Sequence, residues 1–318
     1  LELADSQTAG FRNDKFSLAV RFTANNAHPQ LLALRDQPLT PLSPDLTIFG
    51  NRGRKQVVKR LEDKSILITG GSSGLGAAAA VLMAQEGAKV AIAARREPEG
   101  LKIVKSIQDA GGEAMFIKAD VCNRTEVEKM VDDVVRSYGR LDCAVNNAGL
   151  SYPFVALADI EEDDWSSVID VNLTAVWRCM KYEIKAMLDN GGGSIVNISS
   201  IFGLKPSDVG HAAYCASKHG LIGLSGTAAV EYAKQGVRVN TVCPGYCHSE
   251  MVDPHFEALP DLAEAVLKRH SAMERLGESA EAAEAMLWFC SDASSFVNGA
   301  ALTVDGGTTT GLDWPTPS

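Results

Sequence analysis

No stretch of the 318-residue sequence reaches the roughly 18 consecutive apolar residues that a bilayer-crossing helix needs. Nor does a charged start followed by an apolar run resemble a secretory signal. A soluble, cytoplasmic protein is expected, with no membrane partner. Positive charge is also in deficit: 30 Lys and Arg against 40 Asp and Glu leave a formal net charge of -10 and a pI near 5.1. Nucleic acids and anionic membranes select clustered Lys and Arg, so neither is expected as a partner and a small molecule fits better. The seven cysteines form an odd set without metal-ligand spacing, and Cys243 with Cys247 are too few for a zinc site. They read as reduced thiols packed as small hydrophobes, and no metal is expected. His248 and His255 lack the carboxylate or cysteine companions that would change this. Internal repeats and low-complexity segments are missing too.

What the sequence does hold is ample apolar material, 46% of residues, for a sizeable core. Residues 1–60 differ from the rest. They lack a helical or strand period, include Pro38, Pro41 and Pro44, and carry more basic than acidic side chains. They read as an N-terminal extension, flexible or draped over the surface; an arm for a neighbouring subunit or the remnant of an organellar targeting peptide, suggested by Arg12, Lys15, Arg21 and Arg35, are the alternatives. From Ser65 onward, short apolar runs alternate with longer segments of helical period. This predicts an α/β fold with a doubly wound parallel sheet, in a single domain over 61–318. The predicted strands are 65–69, 89–94, 114–118, 142–145, 194–199, 237–242 and 301–304. The most periodic helical stretches are 126–138, 165–188 and 214–234.

The first strand runs into a Gly/Ser turn, Gly70-Gly71-Ser72-Ser73-Gly74-Leu75-Gly76, followed by a run of alanines. A dinucleotide pyrophosphate wants this geometry. Gly70 lets the chain turn off the strand, Gly74 lets backbone approach phosphate, and Gly76 lets helix and sheet pack closely. The helix N-terminus adds free N–H groups and partial positive charge. The next strand ends in Ala94-Arg95-Arg96, where a dinucleotide fold reads the adenosine ribose. An NAD site would put a carboxylate there; two guanidinium groups suit a 2′-phosphate instead, so NADP(H) is expected over NAD(H).

Tyr214 and Lys218 stand one helical turn apart and share a face. A phenol is a poor proton shuttle near neutrality, but a cation held close favours phenolate and is expected to bring its pKa down.

Together these segments resemble the short-chain dehydrogenase/reductase family, in its branch of about 250 residues. Thr69 to Gly76 matches the family's T-G-x-x-x-G-x-G, Asn146 to Gly149 its N-N-A-G, and Asn172 in V-I-D-V-N-L its helix asparagine. Ser200 and the Tyr214/Lys218 pair match its catalytic elements. Asn240 to Gly245 followed by Ser249, and Val304 to Gly307, match its later motifs. The resemblance covers Ser65 to Gly307 and implies a Rossmann fold. It further implies that Ser200 polarises a substrate carbonyl, Tyr214 exchanges its proton, Lys218 holds the nicotinamide ribose, and Asn172 positions a water that links Lys218 to solvent. Gly70, Ser72, Ser73, Gly74, Leu75, Gly76, Arg95, Arg96, Asp120, Val121, Asn147, Pro244, Gly245 and Ser249 fall where the family contacts cofactor. Asp120 would lie at the adenine and Ser249 at the carboxamide. The implied activity is hydride transfer between nicotinamide and a small alcohol or ketone, in a homodimer or homotetramer.

Specificity is expected from three loops beyond the strand ends: 150–155, 201–211 and a lid over 246–275 with Tyr246, His248, Met251, His255, Phe256 and Leu259. Lys205, Asp208 and His211 favour a compact or partly polar substrate. A non-catalytic dinucleotide-binding sensor is the competing function class, disfavoured because Ser200, Tyr214, Lys218 and Asn172 are all present. An epimerase or dehydratase built on the same Tyr and Lys would resemble relatives with a longer C-terminal region.

Overall fold

In a computed structural model the described residues are 59–151, 154–207, 210–258, 261, 263–264, 267–268 and 271–310. Chain contacts separate Leu1–Gln56 from Val57–Ser318. The basic and proline residues singled out before Arg60, and Asp208 and Leu259, lie outside the described residues, as does the side chain of His255.

The strands are β1 (Ser65–Thr69), β2 (Lys89–Ala94), β3 (Glu113–Lys118), β4 (Cys143–Asn146), β5 (Gly193–Ile198), β6 (Val237–Pro244) and β7 (Ala301–Val304). They form one parallel sheet in the order β3-β2-β1-β4-β5-β6-β7. The chain builds outward from β1 to β3, then returns to place β4 on the other side of β1. Ile66 therefore pairs with Val90 on one side and Cys143 on the other. Helices leaving β1 and β4 diverge to opposite faces at this reversal, which opens a crevice beyond the carboxyl ends of those strands.

Alternate side chains of each strand enter different layers of core. Ile66, Ile68, Val90, Ile92, Val145 and Val196 pack with Ala79, Ala80 and Met83 of α1 (Gly74–Gln85). The same layer takes Met286, Leu287 and Phe289 from the last helix, Ser279–Cys290. Leu67, Ala91, Ala144 and Ile195 face α3 (Arg124–Tyr138), α5 (Ala175–Asp189) and α6 (Ala212–Tyr232). α2 (Glu97–Asp109) joins β2 to β3. Burying each Val, Leu or Ile contributes about 1.5–3 kcal/mol. α3 illustrates how the sequence places a helix. Val127, Met130, Val131 and Val134 make one buried stripe, Asn123 accepts from the Thr125 and Glu126 amides at its start, and left-handed Gly139 ends it.

One predicted element is corrected. The helix read as continuous from Trp165 to Leu188 is α4 (Glu162–Ile169), a π-helical turn (Asp170–Thr174) and α5. The Ala175 amide reaches the Asp170 carbonyl, five residues back. The apolar pattern carries through this single extra residue, so periodicity alone does not reveal it. The strands agree with the sequence reading to within a residue or two at their ends. β4 starts at Cys143, and just before it the Asp142 carboxylate accepts from the Ser65 amide at 2.9 Å.

Candidate active site

At the reversal point lies a cleft of about 550 Å³. Its floor is the glycine turn. Gly70 has φ of 65°, and its amide donates to Ala93 O at 2.8 Å. A Cβ on Gly76 would lie 2.5 Å from Asn147 Nδ2 and 2.6 Å from Gly70 O, so only glycine fits there. Asn147 secures the turn: its Nδ2 donates to Thr69 O at 3.2 Å and Gly70 O at 3.1 Å. In return, Thr69 Oγ1 accepts from the Asn147 and Ala148 amides, each at 3.2 Å.

Ser73 precedes α1 but makes no side-chain cap. Its hydroxyl accepts from Arg96 Nη2 at 2.7 Å instead. The first-turn amides of α1 thus keep their donors for the cleft, where Gly74 and Leu75 stand at the edge. This cradle of open donors and absent Cβ atoms fits a dinucleotide pyrophosphate. Ala94 ends β2 without a carboxylate, and Arg95 and Arg96 line the cleft, both exposed. Arg96 also carries an anion from within the chain: Glu250 Oε2 lies 2.7 Å from its Nη2. Asp120 Oδ1 accepts from the Cys122 amide at 2.9 Å, and Val121 O accepts from Arg178.

The opposite end of the cleft is built by β5 and α6. Ser200 follows β5, and its Oγ accepts from the Phe202 amide at 3.2 Å. Lys218 is buried; its Nζ donates to Ile198 O at 2.9 Å and stands 5.5 Å from the centroid of the Tyr214 ring. Burial lowers the Lys218 ammonium to about 8. Burial also pushes the Tyr214 phenol up to about 12, against a hydrogen bond with Ser200 that pulls it down. The sequence reading expected Lys218 to lower this value; in the chain by itself burial is the larger influence. Desolvation outweighs the nearby cation, whose hydrogen bond goes to a carbonyl rather than to the phenol.

Asn172 sits in the π-helical turn, fully buried. Its Oδ1 accepts from the Leu150 amide and its Nδ2 donates to Leu150 O, both at 2.9 Å. A Cβ on Gly149 would lie 3.2 Å from Asn172 Oδ1 and 3.6 Å from Lys218 Nζ, so these polar atoms close on Gly149 together. Of the residues expected at the site, all but Asn172 and Gly76 line the cleft; those two brace its walls from behind. Ser249 Oγ donates to Cys247 O at 3.3 Å and accepts from the Val252 amide. His248 lies outside the lining and pairs with Asp253 at 2.8 Å.

The sequence reading missed an aromatic wall over Tyr214. Phe154 stacks on His211 with centroids 4.3 Å apart, and Phe202 presents its edge to His211, Tyr214 and Tyr246. Tyr246 in turn meets Phe256 of the short helix Asp253–Ala258. Three loops contribute one or two rings each, and no spacing within one segment signals such a cluster. Among the described residues no group of three or more His, Cys, Asp or Glu side chains could hold a metal ion, and no helix is long and apolar enough to cross a membrane.

Residues 70–309 match the family model described as enoyl-(acyl carrier protein) reductase. A γ-butyrolactone 1′-reductase of the A-factor type from Streptomyces virginiae is 42% identical over 250 residues, covering 78% of this chain and 96% of its own. The chain belongs to the short-chain dehydrogenase/reductase family. Also similar is a cis-4-hydroxycyclohexanecarboxylate dehydrogenase from Sinomonas cyclohexanicum, 37% identical over 78% of this chain and 97% of its own. A solved structure from Agrobacterium tumefaciens with bound NADP superposes with a TM-score of 0.72 at 33% identity, over 79% of this chain and 98% of that one. As a family member the chain is an oxidoreductase acting on alcohol or ketone substrates with a nicotinamide dinucleotide.

Because the folded chain holds the Lys218 ammonium near 8 rather than at its ordinary 10.5, the unfolded chain binds the extra proton between those values. The Lys218 share of stability is therefore expected to rise from pH 8 to about 10.5, read as the difference between the unaltered chain and Lys218→Met in urea denaturation at stepped pH. Lys218→Met should lack that rise; an identical slope in the variant would remove the assignment.

Proposed function

We propose that this short-chain dehydrogenase/reductase is an NADP(H)-dependent carbonyl reductase or alcohol dehydrogenase, acting on a small ring-bearing ketone or its secondary alcohol. One observation carries the reading: Ser200, Tyr214 and Lys218 meet at one end of a cleft whose other end is a glycine cradle. When bound, the nicotinamide would supply the hydride. On the oxygen side, Ser200 and Tyr214 aim two hydroxyl groups at one atom, where negative charge grows as the carbonyl is reduced. A phenol near 12 is fully protonated at neutral pH, the form that donates to a nascent alkoxide. Lys218, charged below about 8, is the cation that compensates the phenolate left behind. Asn172 and Lys218, closing together on Gly149, support a relay that returns the proton through water.

Three features support the finer points. Ala94, Arg95 and Arg96 suit a 2′-phosphate, and a similar structure holds NADP. The wall of Phe154, Phe202, His211 and Tyr246 offers flat faces to a ring, and the relatives named above carry lactone or cyclohexane rings in their descriptions. Half-exposed Trp165 on α4 and Trp177 on α5 support pairing of copies across these helices. One observation favours NAD(H) instead: Arg96 is already paired with Glu250 and Ser73, leaving Arg95 as the guanidinium for a phosphate.

A panel of cyclic and open-chain ketones and alcohols, followed by nicotinamide absorbance with both cofactors, tests the reading; turnover of none of them overturns it. Tyr214→Phe is expected to lower kcat by about 10²–10⁴-fold, and unchanged turnover would remove Tyr214 as proton donor. Arg95→Asp should move the ratio of kcat/KM for NADPH over NADH towards NADH; equal use of both by the unaltered chain would defeat the NADP assignment. Sedimentation equilibrium of the full chain should give a dimer or tetramer, and a monomer at micromolar concentration would rule out the pairing.

A further inference from the structure

The two contacts that hold the site each follow directly on a buried asparagine. Asn146 closes β4 and precedes Asn147, which grips the glycine turn. Asn197 in β5 precedes Ile198, whose carbonyl takes Lys218. Asn146 Nδ2 donates to Asn197 Oδ1 at 3.0 Å and to Glu183 Oε2 of α5 at 2.9 Å. Asn197 Nδ2 donates in turn to Ser225 Oγ of α6 at 2.8 Å. Asn197 and Glu183 are fully buried, and Asn146 is 1% exposed.

Two acceptors in this group have no hydrogen-bond partner: Glu183 Oε1 and Asn146 Oδ1. They belong to side chains already bonded to each other. An ionised Glu183 would need a counter-charge, and none of the neighbouring cations serves. Lys181 and Lys185 of α5 lie over the Tyr182 ring, Arg178 donates to Val121 O, and Arg124 of α3 donates to the Tyr182 hydroxyl. Lys218 of α6 is bound to Ile198 O. The titratable side chain that does sense Glu183 is Cys179, one turn earlier, a thiol that burial keeps protonated. From β4 the Asn146 amide reaches Glu183, and from β5 Asn197 reaches Asn146.

A hydrogen on Glu183 Oε1 would make that oxygen a donor, and the side chain already bonded to Glu183 carries an acceptor without a partner, so one proton could complete a cyclic acid–amide pair. We infer that Glu183 is carried as the neutral acid and is a positioning residue: its proton locks Asn146, and with it the carboxyl ends of β4 and β5 that hold the glycine turn and Lys218. Burial raises its carboxyl to about 8, in keeping with this arrangement. As a carboxylate it would have acceptors only, leaving both its Oε1 and Asn146 Oδ1 without a donor in a dry interior.

The sign of the pH effect follows. The folded chain keeps this proton from the ordinary carboxyl value of 4.5 up to about 8 while the unfolded chain releases it. Glu183 thus favours folding most at low pH, and its share of the unfolding constant grows by about tenfold per pH unit across that window. Glu183→Gln keeps the cyclic pair through its own amide and loses the titration.

Infrared spectra of the full chain at pH 7, where exposed carboxyls are ionised, are expected to show one protonated carboxyl stretch. It should fade as the pH passes about 8 and be missing from Glu183→Gln. Urea denaturation from pH 5 to 8 should show a shallower decline in Glu183→Gln than in the unaltered chain. Equilibrium binding of NADPH, followed by fluorescence, should weaken several-fold in Glu183→Ala and recover in Glu183→Gln. An ionised Glu183 at pH 7 or superimposable denaturation profiles would overturn the inference, as would a Glu183→Ala that binds NADPH unchanged. The infrared titration needs only the unaltered chain, so it decides even if the alanine variant fails to fold, and it is independent of turnover.

Discussion

The width of the crevice between β1 and β4 is the dimension on which everything else at the site depends, and one side chain sets it. Asn147 spans the reversal of the sheet, donating to two successive carbonyls of the glycine turn while Thr69 answers with its hydroxyl. A parallel sheet has no hydrogen bonds beyond its last paired residue, so strand ends at a reversal would otherwise splay. Here the loose ends are tied by side chain to backbone. Gly76 then packs directly on the Asn147 amide, which brings α1 close enough for its open N-terminus to face the cleft.

Burial acts on the two titrating groups of the site in opposite directions and to the same effect. It lifts the phenol and depresses the ammonium, so both are driven towards their neutral forms. Each charge that appears during a proton exchange is therefore costly to hold alone and is balanced best by the other. Such a site gains from ligands and water that complete the balance, and the aromatic wall over Tyr214 limits how freely bulk solvent can do so.

Much of this was legible in the sequence, for physical reasons that also explain what was not. Buried parallel strands are continuous apolar runs, so Ile66 to Ile68 or Ala91 to Ala93 stand out without any partner in view. The glycine turn and the Tyr214/Lys218 pair are short-range patterns, set by a strand end or by one helical turn. Arg96 with Glu250 is different, since the partners are 154 residues apart and meet only when the sheet has formed. Glu183 stands between Lys181 and Lys185 in the sequence, yet α5 buries it. The depth of Tyr214 is likewise a property of its surroundings, and it is this burial that raises the phenol.

The π-helical turn has a consequence for how this chain can vary. It is one residue of slack placed where α4 becomes α5, and that residue rotates everything after it by about 100° relative to a regular helix. Asn172 reaches Leu150 from within this offset, and Glu183 reaches Asn146 from beyond it. Deleting any residue from 170–174 would restore a smoother helix and at once swing one of the two grips out of reach. Length, rather than composition, is what this segment cannot give up: side chains facing solvent there are exchangeable, and the count of residues between the two grips is not.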